Sequence, residues 1–139
     1  MLVKSVLLLS AAALPVASAL RSERSAPGVY GWCDFTWANA HKVQNVQCGA
    51  ADTAGDSHPV YALLALYSDN GKEKEIARFD NDSGYNTGNK WDNTKHSWDN
   101  LPRSNLSKAR VKVCVNIQFG ADKCYWGNYV DNPYEAGTS

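Results

Sequence analysis

The chain has 139 residues, 14 of them basic and 14 acidic, with four cysteines. That length allows one domain, and the balanced charge supplies no electrostatic footprint for nucleic acid or an anionic membrane surface. The five tryptophans, seven tyrosines and three phenylalanines all lie after residue 19, so aromatic rings must supply much of the buried area.

Residues 1–19 read as a secretory signal. Lys4 gives a positive start, Val6 to Ala13 an apolar stretch, and Ala17-Ser18-Ala19 the small-x-small pattern of a cleavage site. The apolar run is too short to cross a bilayer, so an extracellular protein is expected, with 14 acidic residues left against 13 basic ones. Residues 20–28, with Arg21, Glu23, Arg24 and Pro27, read as a flexible N-terminal tail. A single β domain over 29–134 follows, then a short tail at 135–139.

Within that domain the hydrophobic period is two. Val29 to Trp37 and Val43 to Cys48 have strand-like density, and Gly49 to Pro59 has loop chemistry. Val60 to Tyr67 is apolar on both faces, which predicts a central strand buried on both sides. It runs into Asp69-Asn70-Gly71-Lys72 and then to Phe79; Asn-Gly predicts a two-residue hairpin turn. That turn would set Ala65 opposite Ile76, Leu64 opposite Ala77 and Tyr67 opposite Lys74.

Arg110 to Gln118 alternates, with Val111, Val113, Val115 and Ile117 on one face; Gly120 to Asp122 turns the chain, and Cys124 to Val130 returns. The expected fold is all-β: a small antiparallel β-sandwich or partly closed barrel of about six strands with two disulfides. Four cysteines allow three pairings. Cys33–Cys48 with Cys114–Cys124 is favoured, because each closes a short local segment. The absence of any Cys-x-x-Cys pair argues against zinc.

Between Phe79 and Lys108 the alternation fails. Residues 81–107 hold six asparagines and few large apolar groups, and they read as a long, partly ordered surface loop. Trp91-Asp92-Asn93 and Trp98-Asp99-Asn100 repeat a tripeptide seven residues apart, with Asp-Asn pairs suited to Asx turns. Trp98, close to Leu101 and Pro102, is the expected anchor of the loop; Trp91, between Lys90 and Asp92, is the expected displayed group. Asn81-Asp-Ser83 and Asn105-Leu-Ser107 are glycosylation sequons at its two ends.

Chemistry for catalysis is sparse. No Gly-x-Ser-x-Gly elbow is present and the cysteines are expected to be bridged. A ribonuclease is the strongest enzymatic candidate, with Glu73, Glu75 and Arg78 on one strand and His96 folding over them. Strict alternation places Arg78 on the opposite face from the glutamates, so no catalytic residue is assigned. Asp80-Asn81-Asp82-Ser83-Gly84 begins like a calcium loop, but Tyr85 stands where that motif needs glycine and Trp91 where it needs glutamate. No metal and no cofactor is expected.

A signal segment, a short polar leader, cysteines at 33, 48, 114 and 124 and an aromatic β-rich body together resemble the small secreted cysteine-containing effector proteins of filamentous fungi. The resemblance covers the whole chain through its organisation and transfers no site residue. It implies a non-enzymatic protein that acts outside the cell on host or competitor molecules, most concretely by inhibiting a papain-like cysteine protease of the apoplast; a monomer is expected. The partner-binding set is then Tyr85, Asn89, Lys90, Trp91, His96 and Trp98 in the loop, because an exposed tryptophan on a stiff support is a typical hot spot. The alternative is binding of cell-wall polysaccharide, in which Trp91, Trp98, Trp126 and Tyr129 stack on sugar rings.

Overall fold

The computed structural model describes residues 19–100 and 104–134. The signal segment up to residue 18, Leu101 and Pro102, and the tail at 135–139 lie outside the described residues. The strands are β1 (Leu20–Ala26), β2 (Val29–Asn39), β3 (Lys42–Asp52), β4 (Val60–Ser68), β5 (Glu73–Asn81), β6 (Lys90–Trp91), β7 (His96–Asp99), β8 (Leu106–Val115), β9 (Lys123–Trp126) and β10 (Val130–Asp131). They form two antiparallel sheets. One runs β1-β2-β3-β6, with β7 also on β3; the other runs β10-β8-β4-β5, with β9 also on β8. The expected sandwich is present. Six of its strands are long, and four short ones of two to four residues complete the edges.

The core lies between the sheets, where Val29, Phe35, Val43, Val46, Leu64, Leu66, Leu106, Val111 and Val113 are fully buried. At about 1.5–3 kcal/mol for each large aliphatic or aromatic side chain removed from water, this layer is the main source of stability. Both cystines join residues directly opposite each other on paired strands, Cys33–Cys48 across β2 and β3 and Cys114–Cys124 across β8 and β9. The first sits in the core; the second sits on the outer surface of the second sheet. Each restricts the unfolded chain and contributes about 2–4 kcal/mol, a term that grows with the length of the loop closed.

Strand β4 is buried on both sides, as its sequence requires. Its inner row, Val60, Ala62, Leu64 and Leu66, meets the first sheet. Its outer row, Tyr61, Leu63 and Ala65, packs with Tyr67 and the Cys114–Cys124 bridge. Charged side chains cover that second cluster: the Arg78 guanidinium lies 3.6 Å from the Tyr61 ring centre, and Lys112 reaches Glu75 at 2.9 Å. Long basic side chains cover apolar surface in this way while their heads stay wet.

The β4–β5 hairpin differs from expectation by one residue at its tip. Ser68 pairs with Lys72 around a three-residue loop, with Gly71 at φ +84. Tyr67 therefore faces Glu73, Ala65 faces Glu75, and Leu64 faces Ile76. Asn-Gly serves here as the end of a longer turn, with glycine in the left-handed position that side chains disfavour. A bulge at Ala77, φ +59, then inserts one residue, so that from Phe79 opposite Ala62 onwards the expected register is regained.

Residues 20–28 are not a flexible tail. β1 pairs with β2 along its whole length, from Leu20↔Phe35 to Ala26↔Val29. It also ties the two sheets together. The fully buried Ser22 hydroxyl donates to the Asn128 carbonyl at 2.6 Å and accepts the Val111 amide at 2.9 Å. One side of the sandwich is thereby closed by hydrogen bonds.

Candidate functional site

The described residues of the 81–107 segment run from the second sheet to the first, where two stretches of them lie along a strand edge. Its first residue ends β5, its last two residues open β8, and between them β6 and β7 lie along the edge of β3. The expected long, partly ordered surface loop is thereby broken up: 82–89 and 92–95 stay outside the strands and mostly exposed, while 90–91 and 96–99 are strand. The reason is local: the two Trp-Asp-Asn copies supply short strand segments that satisfy the open edge of β3, with an Asx turn at Asp92 between them.

The two copies point to opposite sides of the sheet. Trp98 pairs with Val43 on the inner row of β3 and packs against the core. Lys74 covers its ring at 4.7 Å, and its indole nitrogen donates to Asn100. Trp98 is thus the anchor, and it drops out of the partner-binding set. Trp91 pairs with Gly49 on the outer row and keeps 52% of its surface exposed.

Gly49 is required there for space. A Cβ at that position would come within 2.6 Å of the Trp32 ring and 2.7 Å of the Lys90 carbonyl. Trp32 lies flat across this glycine, with Arg21 over its ring at 4.3 Å and its indole nitrogen donating to the Asn89 side chain. Arg21 is itself held by two bonds to Asp34, at 2.7 and 2.9 Å, which push its pKa up further.

The backbone beneath Trp91 is pinned. The Asp92 amide donates to the Cys48 carbonyl at 3.0 Å, and Gln47 donates to the Asp92 carbonyl at 2.6 Å. Asp92 also closes the turn into β7, taking His96 Nε2 at 2.9 Å and the Thr94 amide at 2.9 Å. The bond with His96, and then that with Thr94, hold its carboxyl below the usual carboxylate range. His96 therefore acts in the turn.

What remains exposed is a shallow hollow of 250 Å³ formed by Asn89, Lys90, Trp91 and Asn93. Tyr85 lies further back on the same segment, 57% exposed, with its ring over Gly55.

The two sequons have different surroundings. Asn81 is 1% exposed, its amide nitrogen donates to the Ala50 carbonyl and its oxygen accepts the Ser83 amide. A glycan on that nitrogen is incompatible with this fold, which corrects the expectation of a surface site. Asn105 is half-buried at the entry to β8, and its carbonyl accepts the Asp69 amide.

The ribonuclease grouping is also resolved differently. The bulge at Ala77 reverses the parity of β5, so Arg78 does share the outer face with Glu75. Yet Glu75 is taken by Lys112 and Arg78 by Asp80, while His96 pairs with β3 in the other sheet. Among the described residues, no group of three or more histidines, cysteines or acids is placed to hold a metal ion. Tyr61 on that face, buried and donating to Asp122 at 2.6 Å, has its hydroxyl pKa pushed up to about 12, by burial first.

Three features escaped the sequence reading. Phe119 stands fully exposed at the tip between β8 and β9. Arg110 is ringed by Tyr67, Trp126 and Tyr129, its centre 4.3 Å from the Tyr129 ring. A cleft of 430 Å³ opens at the end of the sandwich beside Asp52, His58, Asp82 and Tyr85. Phe119 carried a signal, as a large apolar residue next to a glycine in a turn; Trp126, Tyr129 and Tyr85 were singled out one by one, but nothing local grouped the first two around Arg110 or the third with Asp52.

No protein-family model, no curated protein and no solved structure matches this chain. The two disulfides are compatible with an extracellular protein, and among the described residues no helix is long and apolar enough to cross a membrane.

Proposed function

We propose that this is a secreted, non-enzymatic binding protein that engages an extracellular host protein through the Trp91 patch. The observation that carries the reading is a half-exposed indole fixed on a strand whose backbone is bonded to β3. Exposed tryptophan on a rigid support loses little entropy on binding and is a common energetic centre of interfaces. Lys90–Trp91 also lies at the edge of its sheet, where main-chain groups are available to an extended segment of a partner. His96 braces the turn behind this surface and Asn89 and Lys90 extend it, whereas Tyr85, over Gly55, and Trp98, against the core, lie away from it.

The concrete target is a papain-like protease of the host extracellular fluid. Because Lys90–Trp91 and His96–Asp99 lie along β3, contact would come from an edge strand and its indole, and not from a loop pushed into the active-site cleft. Progress curves for papain-like and serine proteases, with increasing amounts of this protein, test the target. Inhibition is expected for the wild type and a loss of at least about tenfold, or 1.4 kcal/mol, for Trp91→Ala. Unchanged proteolysis at micromolar protein would remove the protease.

A second reading has its own support. The hollow around Trp91 places Asn89 and Asn93 beside a flat ring, the combination that stacks on a sugar and bonds its hydroxyls. Retention on insoluble chitin, cellulose or peptidoglycan, abolished by Trp91→Ala, would favour polysaccharide over protein.

A further inference from the structure

We infer that the cleft at the end of the sandwich is a binding site for a basic amino sugar, a saccharide carrying a free, protonated amine. The cleft has a volume of 430 Å³ and lies between the 52–59 and 82–85 segments. Asp52 continues the inner row of β3 after Cys48 and Ala50, and it lines the cleft at the end of that row. It is only 6% exposed. One oxygen accepts the Ala54 amide at 3.1 Å, and among the described residues no ion pair involves it.

A buried carboxylate without a counter-charge is costly, and an arriving cation offsets that cost. Asp82 lines the same cleft, also outside every ion pair among the described residues. Tyr85 supplies the remaining element. Its ring rests on Gly55, 3.4 Å from where a Cβ would stand, and gives the cleft a flat aromatic wall on which a cation or a sugar face can lie.

The walls are preformed. Asp52, Asp56 and Asn81 each accept the amide two residues on, which fixes the backbone on both sides. Size selects the ligand class: the volume falls within the roughly 300–1,000 Å³ of small-molecule sites, more than a single lysine side chain would fill. Ser57 on the rim, with two carboxylates, suits a ligand that carries hydroxyls as well as an ammonium.

This site stands apart from the Trp91 patch, and one titration separates them. The full-length secreted protein is titrated calorimetrically with a glucosamine trimer at mildly acidic pH, beside the trimer of N-acetylglucosamine. Binding of the free-amine trimer is expected, with the acetylated one at least about tenfold weaker. Asp52→Asn, Asp82→Asn and Tyr85→Ala should each weaken it about tenfold or more, and Trp91→Ala should leave it unchanged. If Asp52→Asn fails to fold, the other two, both at exposed positions, still carry the test. No binding, equal binding of the acetylated trimer, or loss with Trp91→Ala would overturn the assignment. Equal binding of a trilysine peptide would do so too, by making the cleft a dock for a protein side chain.

Discussion

Trp91-Asp92-Asn93 and Trp98-Asp99-Asn100 are the same tripeptide, on the same edge of the same sheet, with opposite fates. The first shows its indole to solvent and uses its aspartate to close a turn with Thr94 and His96. The second packs its indole against the core, pairs its aspartate with His41 at 2.8 Å, and uses its asparagine to bond Ser68 and Ser104. Neither fate is written in the tripeptide. The cross-strand neighbour decides: Val43 belongs to the inward row of β3 and Gly49 to the outward row, and the bulge at Asn45 shifts that alternation. A pair of residues in a sheet shares one face, so the partner's row fixes where the tryptophan goes.

Substitutions that separate the two copies should follow this division. The largest effect is expected for Trp98→Ala, which empties space beside the core and should cost about 3 kcal/mol in urea unfolding. Gly49→Ala comes next, at about 1–3 kcal/mol, because the new methyl must displace Trp32 and the Lys90 carbonyl together; the same scan should show altered Trp32 and Trp91 fluorescence. Asn100→Ala removes the bonds that hold the second copy to Ser68 and Ser104, and a loss of about 1–2 kcal/mol is expected.

The smallest effect concerns acid. Asp92 has its folded pKa below its unfolded one, so its contribution is complete above about pH 4. It should be lost as pH falls through the lower folded value. A pH series of unfolding should therefore show Asp92→Asn less acid-sensitive than the wild type, with a difference under about 1 kcal/mol. Tyr61 acts at the other extreme. Its raised pKa means that stability is kept up to about pH 10 and declines as pH approaches 12.

Much of this architecture was legible in the chain. Alternation in Val111 to Val115 placed one face in the core, the all-apolar run Val60 to Leu66 required burial on both sides, and short spacing paired the cysteines correctly. The neighbours of Trp91 and Trp98 also indicated which would be displayed. What was hidden has a common cause: polar residues whose role depends on distant partners. β1 reads as a tail because a single side chain in Arg21 to Ser25, Ser22, is fully buried, and its bonds go to residues about ninety and a hundred positions away. Asn81 reads as a surface sequon because nothing local reveals its bond to Ala50. The bulge at Ala77 has no glycine to announce it, and Asp52 reads as loop until its inward row is known.

The most direct test of the division between a displayed and an anchoring tryptophan combines affinity with stability in one variant. Trp91→Ala and wild-type protein, immobilised at equal density, are exposed to host extracellular fluid, and their melting temperatures are measured alongside. The account predicts a partner retained by the wild type and lost by the variant, with melting unchanged. Equal retention by both, or a variant that melts many degrees lower, would contradict it.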